Sequence, residues 1–119
     1  MRFMLLKMSP RTGPSDLHEE AQFVRSLHAA GVLLSADLLE PPTIGARVEW
    51  PSGMPQVHPR WPREMQREIV RYWVIDAKSL AEAVEWAKRC PCTETEAIEV
   101  RQILEPVAHR LLREPMARH

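Results

Sequence analysis

The residue types that fix a function on sight are scarce in these 119 residues. Only two cysteines occur, Cys90 and Cys92, one residue apart. So few exclude a disulfide-built secreted scaffold and fit a reducing compartment. Neither sign of charge is in excess, since sixteen Lys and Arg balance sixteen Asp and Glu. A neutral chain has no long-range field to gather nucleic acid or an anionic membrane, and it favours self-association. No apolar run approaches the roughly 20 residues of a membrane span. The stretch Phe3–Leu6 between Arg2 and Lys7 is too short for a signal-peptide core, and no small-residue cleavage site follows. The expectation is a cytoplasmic protein with no nucleic-acid and no membrane partner. Glycine-rich phosphate loops, nucleophile elbows and paired metal-ligand motifs are missing. Cys90-Pro91-Cys92 lacks zinc-site spacing, so no metal and no cofactor is expected, and Cys90 reads as a packed thiol.

What is present is the composition of one globular domain, 45 % apolar and 27 % charged. The domain is expected over 1–119, with a core to about residue 105 and a helical tail over 106–119. Arg2–Met8 is a compact apolar run and reads as a buried strand. Asp16 and Glu19 have capping-box spacing, and Leu17, Ala21, Val24, Leu27 and Ala30 recur at helical intervals up to Gly31, a left-handed stop. Val32–Ala36 reads as a second strand. Ala46–Trp50 and Pro55–Val57 flank Pro51-Ser52-Gly53 as a β-hairpin. Glu64–Glu68 allows one helical turn, and Ile69–Ile75 is a strand rich in β-branched and aromatic residues. Ser79 and Glu82 cap a second helix with Leu80, Ala83, Val84 and Ala87 on one face and a Glu85–Arg89 pair, ended by Pro91. Ala97–Leu104 alternates Ile98 and Val100 against Glu99 and Arg101, a half-exposed strand, and Pro106–Arg113 reads as a short helix.

Strand, helix, strand, hairpin, strand, helix, strand is the order of an α+β, split βαβ fold. The strand Ile69–Ile75 places Val70, Tyr72 and Val74 on one face and Ile69, Trp73 and Ile75 on the other, interrupted by Arg71. Two helices cover one sheet face only. A second copy of the chain is the expected cover for the other, so a homodimer is predicted. The alternative is a C-terminal segment folded back over it.

Several segments, taken in order, resemble the YCII-related (DGPF-type) domain family. They are Met1-Arg2-Phe3-Met4-Leu5-Leu6, Ala29-Ala30-Gly31-Val32-Leu33-Leu34, Asp37-Leu38-Leu39-Glu40-Pro41-Pro42, Gly45-Ala46-Arg47-Val48, Tyr72-Trp73-Val74-Ile75-Asp76, the stretch from Glu82 to Pro91, and Ile98-Glu99-Val100-Arg101. The resemblance implies a ferredoxin-like sandwich that pairs as a dimeric α/β barrel. It also implies either a hydrolase-like small-molecule enzyme or a non-catalytic regulator, since such domains accompany alternative sigma factors of stress responses. The chain departs from the pattern at four places. His58-Pro59-Arg60-Trp61-Pro62-Arg63 replaces the Asp-Gly-Pro-Phe segment, and the Gly-Gly that precedes Tyr-Trp is either replaced by Val70-Arg71 or one residue short. Leu38 replaces the glycine of the acidic-Gly-Leu pattern. Glu20 stands where some relatives carry a helix histidine paired with an acid. These losses tilt the reading toward a degenerate, non-catalytic protein.

The chemical candidates are few. Asp37 reads first as a turn carboxylate, with a general acid or base at a cleft edge as the alternative. Glu20 reads first as a solvated helix residue. His58 with Arg60 and Trp61 reads first as a solvent-facing loop with one tucked ring. The functional alternative is a His–Arg clamp for a small anionic or phenolic ligand, beside Asp37 and Trp73. His28 suits the last turn of its helix as a cation.

Overall fold

A computed structural model describes residues 1–10, 17–40, 45–58 and 68–104. In chain order the elements are β1 (Arg2–Ser9), α1 (Leu17–Ala29), β2 (Leu33–Leu38), β3 (Arg47–Glu49), β4 (Gln56–His58), β5 (Glu68–Asp76), α2 (Leu80–Ala87) and β6 (Ala97–Gln102). Four strands form one sheet in the order β2-β5-β1-β6, every neighbouring pair antiparallel. β3 and β4 pair separately as a hairpin. β5 thus lies between β1 and β2, and β1 between β5 and β6, which is the split βαβ arrangement of a ferredoxin-like α+β fold. Asp16, the stretch Glu64–Arg67 and the tail from Pro106 lie outside the described residues.

Both expected helix signals at the termini are built. The Gly31 N–H reaches His28 O and the Val32 N–H reaches Leu27 O, with Gly31 at φ +72°. That is a Schellman stop, and a side chain at Gly31 would be strained. Ser79 Oγ accepts the Glu82 N–H at 3.1 Å and opens α2. Inside the helices the structure differs from expectation. α1 buries Glu20, Phe23 and Leu27, while Leu17 and Ala30 are exposed. The helix is rolled toward Phe23, whose ring meets Trp73 edge-on at 5.2 Å. On α2, Ala83 is buried but Leu80 is exposed, and Trp86 joins the core instead. Glu85 pairs with Lys88 at 2.9 Å, leaving Arg89 stacked over Trp86 at 4.5 Å.

The core lies on one sheet face. Phe3 and Leu5 of β1 and Trp73 and Ile75 of β5 meet Phe23 and Leu27 of α1 and Ala83 of α2. A bulge interrupts the β1–β5 register between Lys7 and Met8, so that Met8 faces Ile69 and Ser9 faces Glu68. One skipped residue reverses the alternation. Ile69, expected beside Trp73, therefore lies on the opposite face at 43 % exposure, and Glu68 is buried instead. The face away from the helices carries Met4, Leu6 and Met8 of β1 beside Val74, Tyr72 and Ile69 of β5. Its β1 side chains are half-buried, and no helix covers it among the described residues.

Candidate functional site

Period-two alternation along β1 puts Phe3, Leu5, Lys7 and Ser9 on the helix-covered face. The consequence is a buried charged cluster at the end of the core. Lys7 Nζ, 2 % exposed, donates to Glu20 Oε1 at 2.6 Å and to Pro91 O at 3.0 Å, and lies 3.6 Å from Glu96 Oε1. The second Glu20 oxygen faces an Arg71 Nη1 at 2.5 Å, an ion pair whose angles fall short of a hydrogen bond. Glu96 is held in turn by the Ser9 hydroxyl and the Thr93 N–H, each donating at 2.9 Å. Glu20 is 1 % exposed. Its expected place on a solvated helix face is thus corrected: the roll of α1 that buries Phe23 carries Glu20 inward as well, where Lys7 and Arg71 neutralise it.

Lys7 and Glu96 are each held in the charged form. Burial by itself would lower the Lys7 pKa, but the hydrogen bond and charge of Glu20, and then the charge of Glu96, outweigh it and leave it raised. Burial would raise Glu96, yet the Thr93 N–H, the Ser9 hydroxyl and the Lys7 charge together lower it. Arg71 Nε and Trp73 Nε1 are buried without a hydrogen-bond partner among the described residues. Beside the cluster, an open cleft of about 320 Å³ runs between α1 and the turn after α2, lined by Gln22, Ser26, Arg89 and Pro91 among others.

The residues singled out from sequence lie elsewhere. Asp37 lies one residue before the end of β2 on the open sheet face, where Oδ2 accepts the Tyr72 hydroxyl at 3.1 Å. That hydrogen bond, and then the carboxylate charge, raise the Tyr72 phenol above its usual range. His58 closes the hairpin, with Nε2 3.1 Å from Glu49 Oε1, and Arg47 lies 3.7 Å from the same carboxylate. Asp37 and His58 are therefore each taken by a different neighbour. Trp73 is wholly buried in the core, with Arg71 6.0 Å above its ring. Arg60 and Trp61 lie outside the described residues. Sequence reasoning passed over Lys7, Arg71 and Glu96 as a group, although the β1 alternation already put Lys7 in line with Phe3 and Leu5. Among the described residues, no three His, Cys, Asp or Glu side chains converge as a metal site, and no helix is long and apolar enough to cross a membrane.

The sheet order, the two helices on one face and the sealed ionic cluster define a small ferredoxin-like α+β domain. The model of the YCII-related domain family matches residues 1–106, and the chain belongs to that family. No curated protein matches it.

Proposed function

We propose that this chain is a degenerate, non-catalytic member of the YCII-related family, a cytoplasmic homodimer that binds a small anionic or phenolic ligand in stress-response regulation. The carrying observation is Glu20. It stands at the helix position where some relatives carry a histidine, and a general base must reach its substrate. Here both carboxylate oxygens face cations and the side chain is sealed from solvent. Arg71 adds to this, since it puts a long side chain into the strand stretch where the family pattern has glycine.

The homodimer reading rests on the sheet face without helices, where Met4, Leu6, Tyr72 and Val74 form adjacent cross-strand pairs. Light scattering at micromolar concentration should give about twice the chain mass of 13.7 kDa. A clean monomer would remove that reading.

One observation favours a second reading, a hydrolase-like small-molecule enzyme. Asp37 and Tyr72 form an accessible acid–phenol pair on the open sheet face, where a cleft against a second copy would lie. A thermal-shift screen of small carboxylates and phenols, repeated on Asp37→Asn and His58→Ala, separates the two when combined with an ester-hydrolysis assay. Binding that weakens in both variants, without turnover, is the expected outcome. Turnover lost in Asp37→Asn, with the protein still folded, would establish the enzyme. Hits indifferent to both substitutions would place the ligand elsewhere.

A further inference from the structure

The cleft beside the buried cluster has two fixed walls. One is a single face of α1, where Glu19, Gln22, Phe23 and Ser26 recur three and four residues apart and so stand in one row. Phe23 is buried and forms the floor, its ring against Trp73 at 5.2 Å. The other wall is the turn after α2, with Arg89 and Pro91. Its own backbone holds that turn, since the Arg89 N–H reaches Trp86 O at 3.0 Å and the Cys90 N–H reaches Ala87 O at 3.1 Å. β1 holds it from inside, because Pro91 O accepts the Lys7 ammonium at 3.0 Å.

The lining combines one cation with one anion. Glu85, the expected partner of Arg89, is taken by Lys88 at 2.9 Å. The Arg89 guanidinium lies instead over the Trp86 ring at 4.5 Å, and no carboxylate pairs with it among the described residues. Stacking fixes the plane of a guanidinium and leaves the N–H donors along its edge available. Glu19 brings the carboxylate. It has an interaction of its own, but a carboxylate offers about four lone-pair sites and accepts further donors beside one already held. Gln22 adds an amide, and Ser26 adds an oxygen whose hydrogen is already given to Gln22 O at 3.1 Å. A volume of about 320 Å³ suits a ligand of few heavy atoms.

We propose that this cleft is a binding site for a small zwitterion of the amino-acid type, its carboxylate on Arg89 and its ammonium on Glu19. A guanidinium takes a carboxylate through two parallel N–H···O bonds. A simple anion bound there would be repelled by Glu19, and a simple cation by Arg89. A ligand carrying both signs meets an opposite charge at each contact, which is how the cleft selects it. Glu19 and Arg89 both stand at the surface, so binding is weak and falls as salt is added. The site is independent of the Asp37–Tyr72 pair, which lies on the other side of the sheet.

The test is a titration of the isotope-labelled full-length protein, followed by NMR. The probes are glycine, β-alanine and γ-aminobutyrate, each beside the plain acid and the plain amine of the same chain length. At least one amino acid should shift the Arg89 Nε–H and the Gln22 side-chain amide to saturation, and bind several-fold tighter than its acid or its amine. Glu19→Gln should lower its affinity to that of the acid, and Arg89→Gln to that of the amine. Both substitutions change exposed side chains, and thermal melts check that the variants are folded. Asp37→Asn should change nothing. The proposal is overturned if the plain acid binds as tightly as its amino derivative, if both cleft variants keep full affinity, or if no probe shifts the cleft. Shifts confined to Tyr72 and Asp37 would also overturn it, while sustaining a ligand on the open sheet face. Saturating shifts at Arg89 that survive Asp37→Asn would sustain it even where the open face binds nothing.

Discussion

Carboxylates sit in two settings in this molecule, and the difference lies in their surroundings. Under α1, Glu20 and Glu96 are enclosed with Lys7, Arg71 and Ser9, so every formal charge has an opposite one against it. On the open sheet face and on the hairpin, Asp37 and Glu49 meet Tyr72 and His58 in water. A buried ion that loses its partner has nothing to replace it, whereas an exposed one is rehydrated. The inner group is therefore committed to the fold, and the outer pairs are the ones left free to meet a ligand.

The largest expected effect follows from the inner group. Glu20→Ala takes from Arg71 its carboxylate partner and leaves Lys7 only Glu96 and a carbonyl, and should cost about 3–5 kcal/mol, measured by denaturant unfolding. Replacing Lys7, Glu20 and Arg71 by Met, Leu and Met together with Glu96→Gln should recover much of the loss, because no charge of the cluster is then left unpaired. An unchanged midpoint in the single variant would break the contrast between the two settings.

The same cluster sets the limits of pH stability. Glu96 has its pKa lowered in the folded protein, so its contribution is present above the ordinary value of 4.5 and is lost as pH falls through the folded value. Lys7 has its pKa raised, so its contribution is complete below 10.5 and is lost as pH rises through the folded value. Thermal melts against pH should show a plateau falling away at both ends. Ser9→Ala removes one of the hydrogen bonds that hold Glu96 ionised and should move the acid edge upward.

Much of the frame was legible because it depends on local signals. The Gly31 stop, the Ser79 cap, the hairpin around Gly53 and the alternation of Ile98 and Val100 are each written in a few neighbouring residues, and each is found in place. What could not be read depends on distant packing. The bulge opposite Lys7 is a property of two strands paired across more than sixty residues, so nothing near Ile69 announces that its face is reversed. The roll of α1 toward Phe23 depends on Trp73 in β5. Glu20 looks solvated in its own helix, and only the pairing of β1 with β5 brings Lys7 and Arg71 alongside it. The His58–Glu49 pair lies between these cases, since the short hairpin register alone would have placed the two side chains diagonally.

A smaller effect is expected at the start of α2. Ser79→Ala removes the hydroxyl that accepts the Glu82 N–H and should cost about 1 kcal/mol in denaturant melts. The substitution touches neither the inner cluster nor the open face, so ligand binding should not change. A loss much larger than this would mean that the cap also supports the turn bearing Cys90.

The least costly change should be the most informative about the open face. Tyr72 is the single tyrosine of the chain, so phenolate absorbance in the near ultraviolet reports this one side chain. Its hydrogen bond to Asp37, and then the Asp37 charge, hold the phenol neutral to higher pH than the ordinary 10.0. In Asp37→Asn the charge is gone, so the titration should move down toward the ordinary value. The melting temperature at neutral pH should scarcely move, because the bond lies at the surface and its two ends are rehydrated when parted. A raised Tyr72 titration that survives Asp37→Asn would mean that the phenol is enclosed by something other than its own carboxylate partner. A second copy lying over the sheet face would do that, and repeating the titration on diluted protein would separate the two causes.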